Sequence, residues 1–238
     1  MKTDILAFGV HPDDIELSAS GTIFRHIDLG YSVALCDLTR GELGTRGSAA
    51  TRMEEAETAR KIFGNIPRVN AGLEDGFFVH NRENLMPVIR IIRTFRPDIV
   101  LCNAVSDRHP DHGRAAKLVS DACFLAGLRR IETTDEHGDQ TAWRPKAVYH
   151  YTQDRHQKVD FAVDTSAYMN KKTEVILTFK SQFYDPDSKE PTTPISGPEF
   201  IEALKSKDRV YGRDIGVNYA EGFTVDRCPG VSNLFDLM

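Results

Sequence analysis

Three short apolar runs, at residues 5–10 (ILAFGV), 32–38 (SVALCDL) and 98–102 (DIVLC), do most to limit what this chain can become. They show little apolar–polar alternation, so each reads as a strand covered on both faces, and such strands belong to a parallel sheet between layers of helices. The segments between them carry helical periodicity. Ile15, Ile23, Phe24 and Ile27 fall near one face of a helix over 14–29, with Gly30 as its stop. A charged amphipathic helix is expected over 51–63, ended by Gly64, and Val69 belongs to a third, short strand. Leu85, Val88, Ile92 and Phe95 define another helix over 83–95, which Arg96-Pro97 terminates, and a further helix follows over 113–128. Four βα units in succession predict an α/β fold, a Rossmann-like and mostly parallel sheet with helices on both faces. Sheets of this kind place their sites at the carboxyl ends of the strands.

The second half is less regular. Strands are expected over 147–151 and 159–163, and helices over 166–180 and 198–211. Between those helices, residues 184–198 (YDPDSKEPTTPISGP) form a long loop rich in Pro, Ser and Asp, the kind of segment that serves as a lid or binding segment or is mobile. No internal repeat or linker divides the chain, so residues 1–238 are expected to form a single domain.

Two tetrapeptides carry the chemistry. His11-Pro12-Asp13-Asp14 follows the first strand directly, and His109-Pro110-Asp111-His112 follows the fourth. Both stand at strand carboxyl ends, where loops far apart in sequence can meet. Together they offer three imidazoles and three carboxylates, donors suited to a borderline cation such as zinc. Proline keeps the preceding histidine out of the helical region, so His11 and His109 are expected in extended backbone. Asp14, three residues after His11, can reach the same ion. The plainer reading of single residues stands beside this one, because an aspartate at a helix start is a common cap, and Asp14 or Asp111 could be no more than that. GVHPDD lacks the glycine fingerprint of a dinucleotide site, which argues against a nicotinamide or flavin role.

Charge narrows the partners. Thirty Lys and Arg against 35 Asp and Glu leave a net charge of −5, the wrong sign for a nucleic-acid binder. No stretch approaches the roughly 20 apolar residues of a spanning helix, and the N-terminal apolar run is too short for a signal peptide. The four cysteines (Cys36, Cys102, Cys123 and Cys228) show no CxxC spacing, which is consistent with a reduced, cytoplasmic protein. His26, His80, His137, His150 and His156 carry no spacing signal and are expected to be structural or surface residues. Trp143 is expected to be a packing anchor.

The HPDD and HPDH tetrapeptides resemble the signature of the PIG-L/LmbE-like zinc-dependent N-acetylglucosamine deacetylases. Residues 39–56 (TRGELGTRGSAATRMEEA), 181–186 (SQFYDP) and 215–223 (IGVNYAEGF) are similar to the bacillithiol-biosynthesis branch, whose members deacetylate N-acetylglucosaminyl malate. The resemblance implies His11, Asp14 and His112 as ligands of Zn2+ or another divalent metal, and Asp13 as general base. It implies His109 as an imidazolium-type acid, with Asp111 orienting it and raising its pKa by charge pairing. Arg52 would contact the substrate, and Tyr184 is the nearest candidate for a tyrosine assisting the oxyanion. A homo-oligomer, with a hexamer as one form, is implied as well. Arg46 and Arg52, in and after the glycine-rich loop 41–47, and Arg108 beside His109 are candidates to meet substrate carboxylates. Two rival readings remain at this point: a sibling acting on another N-acetylglucosamine derivative, such as a chitooligosaccharide or a mycothiol-type conjugate, and a non-catalytic sugar-binding module.

Overall fold

The computed structural model describes residues 2–237. Strands β1 (Ile5–Gly9), β2 (Val33–Asp37), β3 (Arg68–Asn70), β4 (Ile99–Cys102) and β7 (Ala147–Tyr151) run parallel in one sheet. Strand β9 (Ala220–Val225) pairs antiparallel with β7 on one side and with β8 (Phe161–Asp164) on the other. The order across the sheet is β3-β2-β1-β4-β7-β9-β8. Successive residues of β1 point to opposite faces. Leu6 and Phe8 enter a core shared with helices α3 (Arg82–Phe95) and α4 (Pro110–Ala126), while Ile5 and Ala7 enter one shared with α1 (Asp14–Asp28), α2 (Ala49–Ile62) and α5 (Met169–Ile176). Helices therefore cover both faces, and the two apolar layers explain why the central strands carry so few polar residues.

Helix boundaries follow local chemistry. Ser48 caps α2 by accepting the Thr51 N–H, and Asn81 caps α3 by accepting that of Asn84. Helix α4 starts at Pro110, three residues before the start expected from periodicity. Proline suits the first helical position, where its missing N–H is no loss, and His109 takes the extended N-cap conformation before it. Where one helix was expected over 166–180, there is a 3-10 turn at Ser166–Tyr168 followed by the shorter α5. Helix α6 (Pro198–Asp214) runs three residues beyond its expected end.

Two features are absent from the sequence reading. One is the small exposed hairpin of β5 (Thr134–Asp135) and β6 (Gly138–Asp139). The other is β9, whose apolar run is broken by Glu221 and Gly222. Glu221 is nevertheless buried, and a side chain at Gly222 would collide with Val159 and the Tyr211 ring. Cys36, Cys102 and Cys123 are buried, Cys228 is exposed, and all four are free thiols. Trp143 packs against the core and donates its indole N–H to the Pro97 carbonyl at 2.7 Å. Among the described residues no helix is long and apolar enough to cross a membrane.

Candidate active site

The turn after β1 and the start of α4 meet at the carboxyl ends of the parallel strands. The His11 ring centre lies 4.8 Å from that of His109 and 5.9 Å from that of His112, and His109 and His112 are 5.2 Å apart. Asp14, the first residue of α1, faces both outer histidines. Its Oδ1 is 3.2 Å from His112 Nε2 and its Oδ2 is 3.8 Å from His11 Nδ1. Four neutral donors fix this carboxylate: the N–H groups of Val10 and His11, and the side-chain amides of Asn103 and Gln153.

Hydrogen bonding assigns the tautomers. His11 Nε2 donates to Asp75 Oδ1 at 2.9 Å and His112 Nδ1 donates to Asp107 Oδ2 at 2.6 Å, so when either ring is neutral its lone pair is on the nitrogen nearer Asp14. His109 is wired the other way. Its Nδ1 accepts the Asp111 N–H at 3.3 Å, which puts the proton of the neutral ring on Nε2. A ring nitrogen from each of the three histidines lies within 4.8 Å of the others, as do donors of His11, Asp75 and Asp111. Of these three rings, only His11 and His112 have a carboxylate on one nitrogen and turn the other toward Asp14.

Five carboxylates (Asp13, Asp14, Asp75, Asp107 and Asp111) draw positive charge onto these rings. Burial opposes protonation of His11, but Asp111 and Asp75 outweigh it and lift its pKa to about 10. His112 is likewise lifted to about 9, with Asp14 and Asp107 overcoming burial. Burial would raise Asp14, yet the His112 and His11 rings hold it well below the usual carboxylate range. Asp13 is raised to about 7, chiefly by burial and by the neighbouring Asp14, against the pull of Arg52. Asp13 also sits at φ 136°, a conformation costly for a residue with a Cβ. Arg52 secures it there, because one guanidinium nitrogen donates both to the Pro12 carbonyl (2.7 Å) and to Asp13 Oδ2 (2.8 Å). Gly41, at φ 64°, leaves room for that guanidinium; a Cβ would come within 2.1 Å of it.

These groups open into a cavity of about 520 Å3. Leu43 and Gly44 of the loop after β2 line it, and Leu17, Ile195, Phe200 and Leu204 add apolar surface. The long loop between α5 and α6 thus brings Ile195 to the site. Arg108 and Lys207 stand in the lining, Arg108 with its Nε on Asp154 Oδ2 at 3.1 Å.

Several expectations need correction. The Asp111 carboxylate does not face His109; it accepts the Gly76 N–H at 2.9 Å, pairs with Arg114 at 2.9 Å and lies 3.8 Å from His11 Nε2. Its link to His109 is through the backbone, and burial together with the His11 and His112 rings pushes the His109 pKa down, against the rise expected from charge pairing with Asp111. Arg46 is turned away from the cavity and donates to Ser188 Oγ at 2.6 Å, tying down the long loop. Arg52 does line the cavity, but its guanidinium is engaged by Asp13. Tyr184 is 44% exposed and lies outside the cavity lining. Asp75, Asp107, Asn103, Gln153 and Lys207 were missed. Asp107 had a signal, being an acid two residues before the HPDH tetrapeptide, and Asn103 stands in the same loop; Asp75, Gln153 and Lys207 reach the site from distant segments.

Comparison with known proteins agrees with this architecture. A family model described as PIG-L, GlcNAc-PI de-N-acetylase, matches residues 6–123. The structure of the conserved protein TT1542 from Thermus thermophilus superimposes with a TM-score of 0.85 at 32% identity, covering 98% of each chain. N,N'-diacetylchitobiose deacetylase from Pyrococcus horikoshii gives a TM-score of 0.79 at 25% identity, over 99% of this chain and 89% of that one. An uncharacterized deacetylase of Escherichia coli K12, YaiS, is 32% identical over 117 residues, which are 47% of this chain and 63% of that protein. The match therefore spans just under two thirds of that relative's length.

Proposed function

We propose that this chain is a PIG-L-type enzyme, a metal-dependent N-deacetylase of an N-acetylated amino-sugar conjugate. The observation that carries the reading is the wiring of His11 and His112: one nitrogen of each ring on a carboxylate, the other turned toward Asp14. Two imidazoles and a carboxylate are a donor set of catalytic zinc, and an outer carboxylate on each ligating histidine is its usual support. The raised pKa values of both rings tell the same story, since protons there answer a demand for positive charge that a cation would meet. His11, Asp14 and His112 would hold zinc, and His109, whose Nε2 carries a proton, is left as a donor. Bound there, a divalent cation would lend Lewis acidity to a water and to the substrate's amide carbonyl.

The chain's own residues do the proton work. Asp13, with a pKa near neutrality, takes a proton from the attacking water as its oxygen bonds to the acetyl carbon. Arg52 keeps the Asp13 carboxylate in place through that transfer. His109 donates a hydrogen bond from Nε2 to the developing oxyanion as a neutral ring. When the C–N bond breaks, Asp13 returns its proton to the leaving amine, and acetate and the free amino sugar depart.

The finer reading is that the substrate is N-acetylglucosaminyl malate. Arg108 and Lys207 in the cavity lining support it, because they are cations that an acidic aglycone would meet. Amine release should be measured on zinc-loaded protein with this conjugate, free N-acetylglucosamine and diacetylchitobiose. A preference of at least tenfold in kcat/KM for the malate conjugate is expected. Preference for diacetylchitobiose would replace the malate assignment, and no amine release from any of the three would sink the deacetylase reading.

A further inference from the structure

We propose that Gln153 is a positioning residue that preorganises the metal site. It lies just beyond β7, and nothing in the two histidine tetrapeptides points to it. Its Oε1 is held by the Asn103 side-chain amide and the Ala104 N–H, both at 3.1 Å, which fixes the amide's orientation. Nε2 then points into the site, donates to Asp14 Oδ1 at 3.0 Å and lies 3.3 Å from His112 Nε2. A carboxylate oxygen has two lone pairs, so this bond fixes the direction of Asp14 and leaves it able to face a cation. The Gln153 carbonyl is itself held by the Lys207 ammonium of α6, so backbone and side chain are anchored separately. Groups fixed before binding do not have to be ordered by it, which is where affinity is gained.

The inference rests on the metal reading above, and its test keeps the two apart. Zinc affinity is measured by competition with a chromophoric chelator, and thermal stability is measured on chelator-treated protein, for wild type, Gln153→Leu and Gln153→Glu. Gln153→Leu, which cannot hold the Asp14 carboxylate, should bind zinc at least tenfold more weakly, in line with losses of about 10–100-fold for outer-shell partners. Gln153→Glu keeps the acceptor for Asn103 and Ala104 but sets a second carboxylate against Asp14. It should lower the Tm of the metal-free protein while binding zinc at least as tightly as wild type. A merely structural glutamine would instead lose stability in both variants with no gain toward zinc in the second. Gln153→Leu affinity within twofold of wild type, or Gln153→Glu binding as weakly as Gln153→Leu, overturns the proposal. Should Gln153→Leu fail to fold, the Glu variant decides alone: affinity at or above wild type supports the assignment and weaker binding rejects it. Wild-type protein that binds no divalent metal overturns the metal reading itself, and this inference with it.

Discussion

Two of the buried charge clusters among the described residues are completed differently. Behind the sheet, Lys172 of α5 reaches Asp208 of α6 and Glu221 of β9, each at 2.7 Å, while Glu221 also accepts the N–H groups of Gly21 and Thr22. The cation is part of the chain, and burial is offset by short ion pairs and backbone donors. At the strand ends, five carboxylates share two guanidinium groups, Arg52 on Asp13 and Arg114 on Asp111. There the remaining demand falls on histidines, which can be charged by a proton or can give their lone pairs to a metal. A buried charge cluster that supplies its own counter-ion is architecture; one that leaves the counter-ion to be brought from outside is built to bind something.

Breaking the first cluster should have the largest effect on stability and a small one on the site. Lys172→Met leaves two buried carboxylates without their cation and should cost about 3–5 kcal/mol in chemical denaturation. Its zinc affinity should stay within a few-fold of wild type. Asp14→Asn is the converse: zinc binding is lost in an equilibrium titration, while the metal-free protein loses less stability than Lys172→Met does. If the two variants behaved alike, the distinction between the clusters would be wrong.

Asp13→Asn sharpens the comparison within the site. Asparagine tolerates the positive φ at this position better than most residues, and the ligands His11, Asp14 and His112 are untouched. Zinc affinity should hold, and kcat should fall by about 100–10,000-fold, the range of general-base catalysis. Unchanged turnover would remove Asp13 as the base.

A smaller effect is expected from pH. The folded-state pKa values of His11 and His112, about 10 and about 9, stand above the ordinary 6.5. The stability they contribute is fully present below pH 6.5 and is lost as pH rises through 9–10. Chelator-treated protein should therefore lose Tm across that window, and zinc-loaded protein should not, since the lone pairs are then committed to the metal. Parallel profiles for the two forms would count against a metal between these rings. The smallest effect is expected at Tyr184, which is exposed outside the cavity: Tyr184→Phe should leave kcat and KM within twofold.

Much of the fold was legible because its signals are local. A strand buried on both faces shows itself as an apolar run, and a helix as a repeat near 3.6, so the βα units could be read directly, with ends shifted by a few residues. Strand β9 was hidden because Glu221 and Gly222 look unlike a buried strand until Lys172 and Tyr211 are in place. The start of α4 was misread because Pro110 reads as a breaker unless its position at the first helical turn is known. Within the site, the residues of the two tetrapeptides could be named from sequence, but not what their side chains face. Asp111 stands beside His109 in the chain, yet its carboxylate serves Gly76, Arg114 and His11, and Arg46 serves the long loop.

The sequence alone determined that two histidine–aspartate turns would follow buried parallel strands, because apolar runs and proline-restricted turns act over a few residues. The tertiary structure decided which ring nitrogen keeps a lone pair, which carboxylate stays near neutrality and which arginine reaches the cavity. Those properties depend on partners such as Asp75, Gln153 and Lys207, which only folding brings within hydrogen-bond reach, and on the burial that makes each partner count.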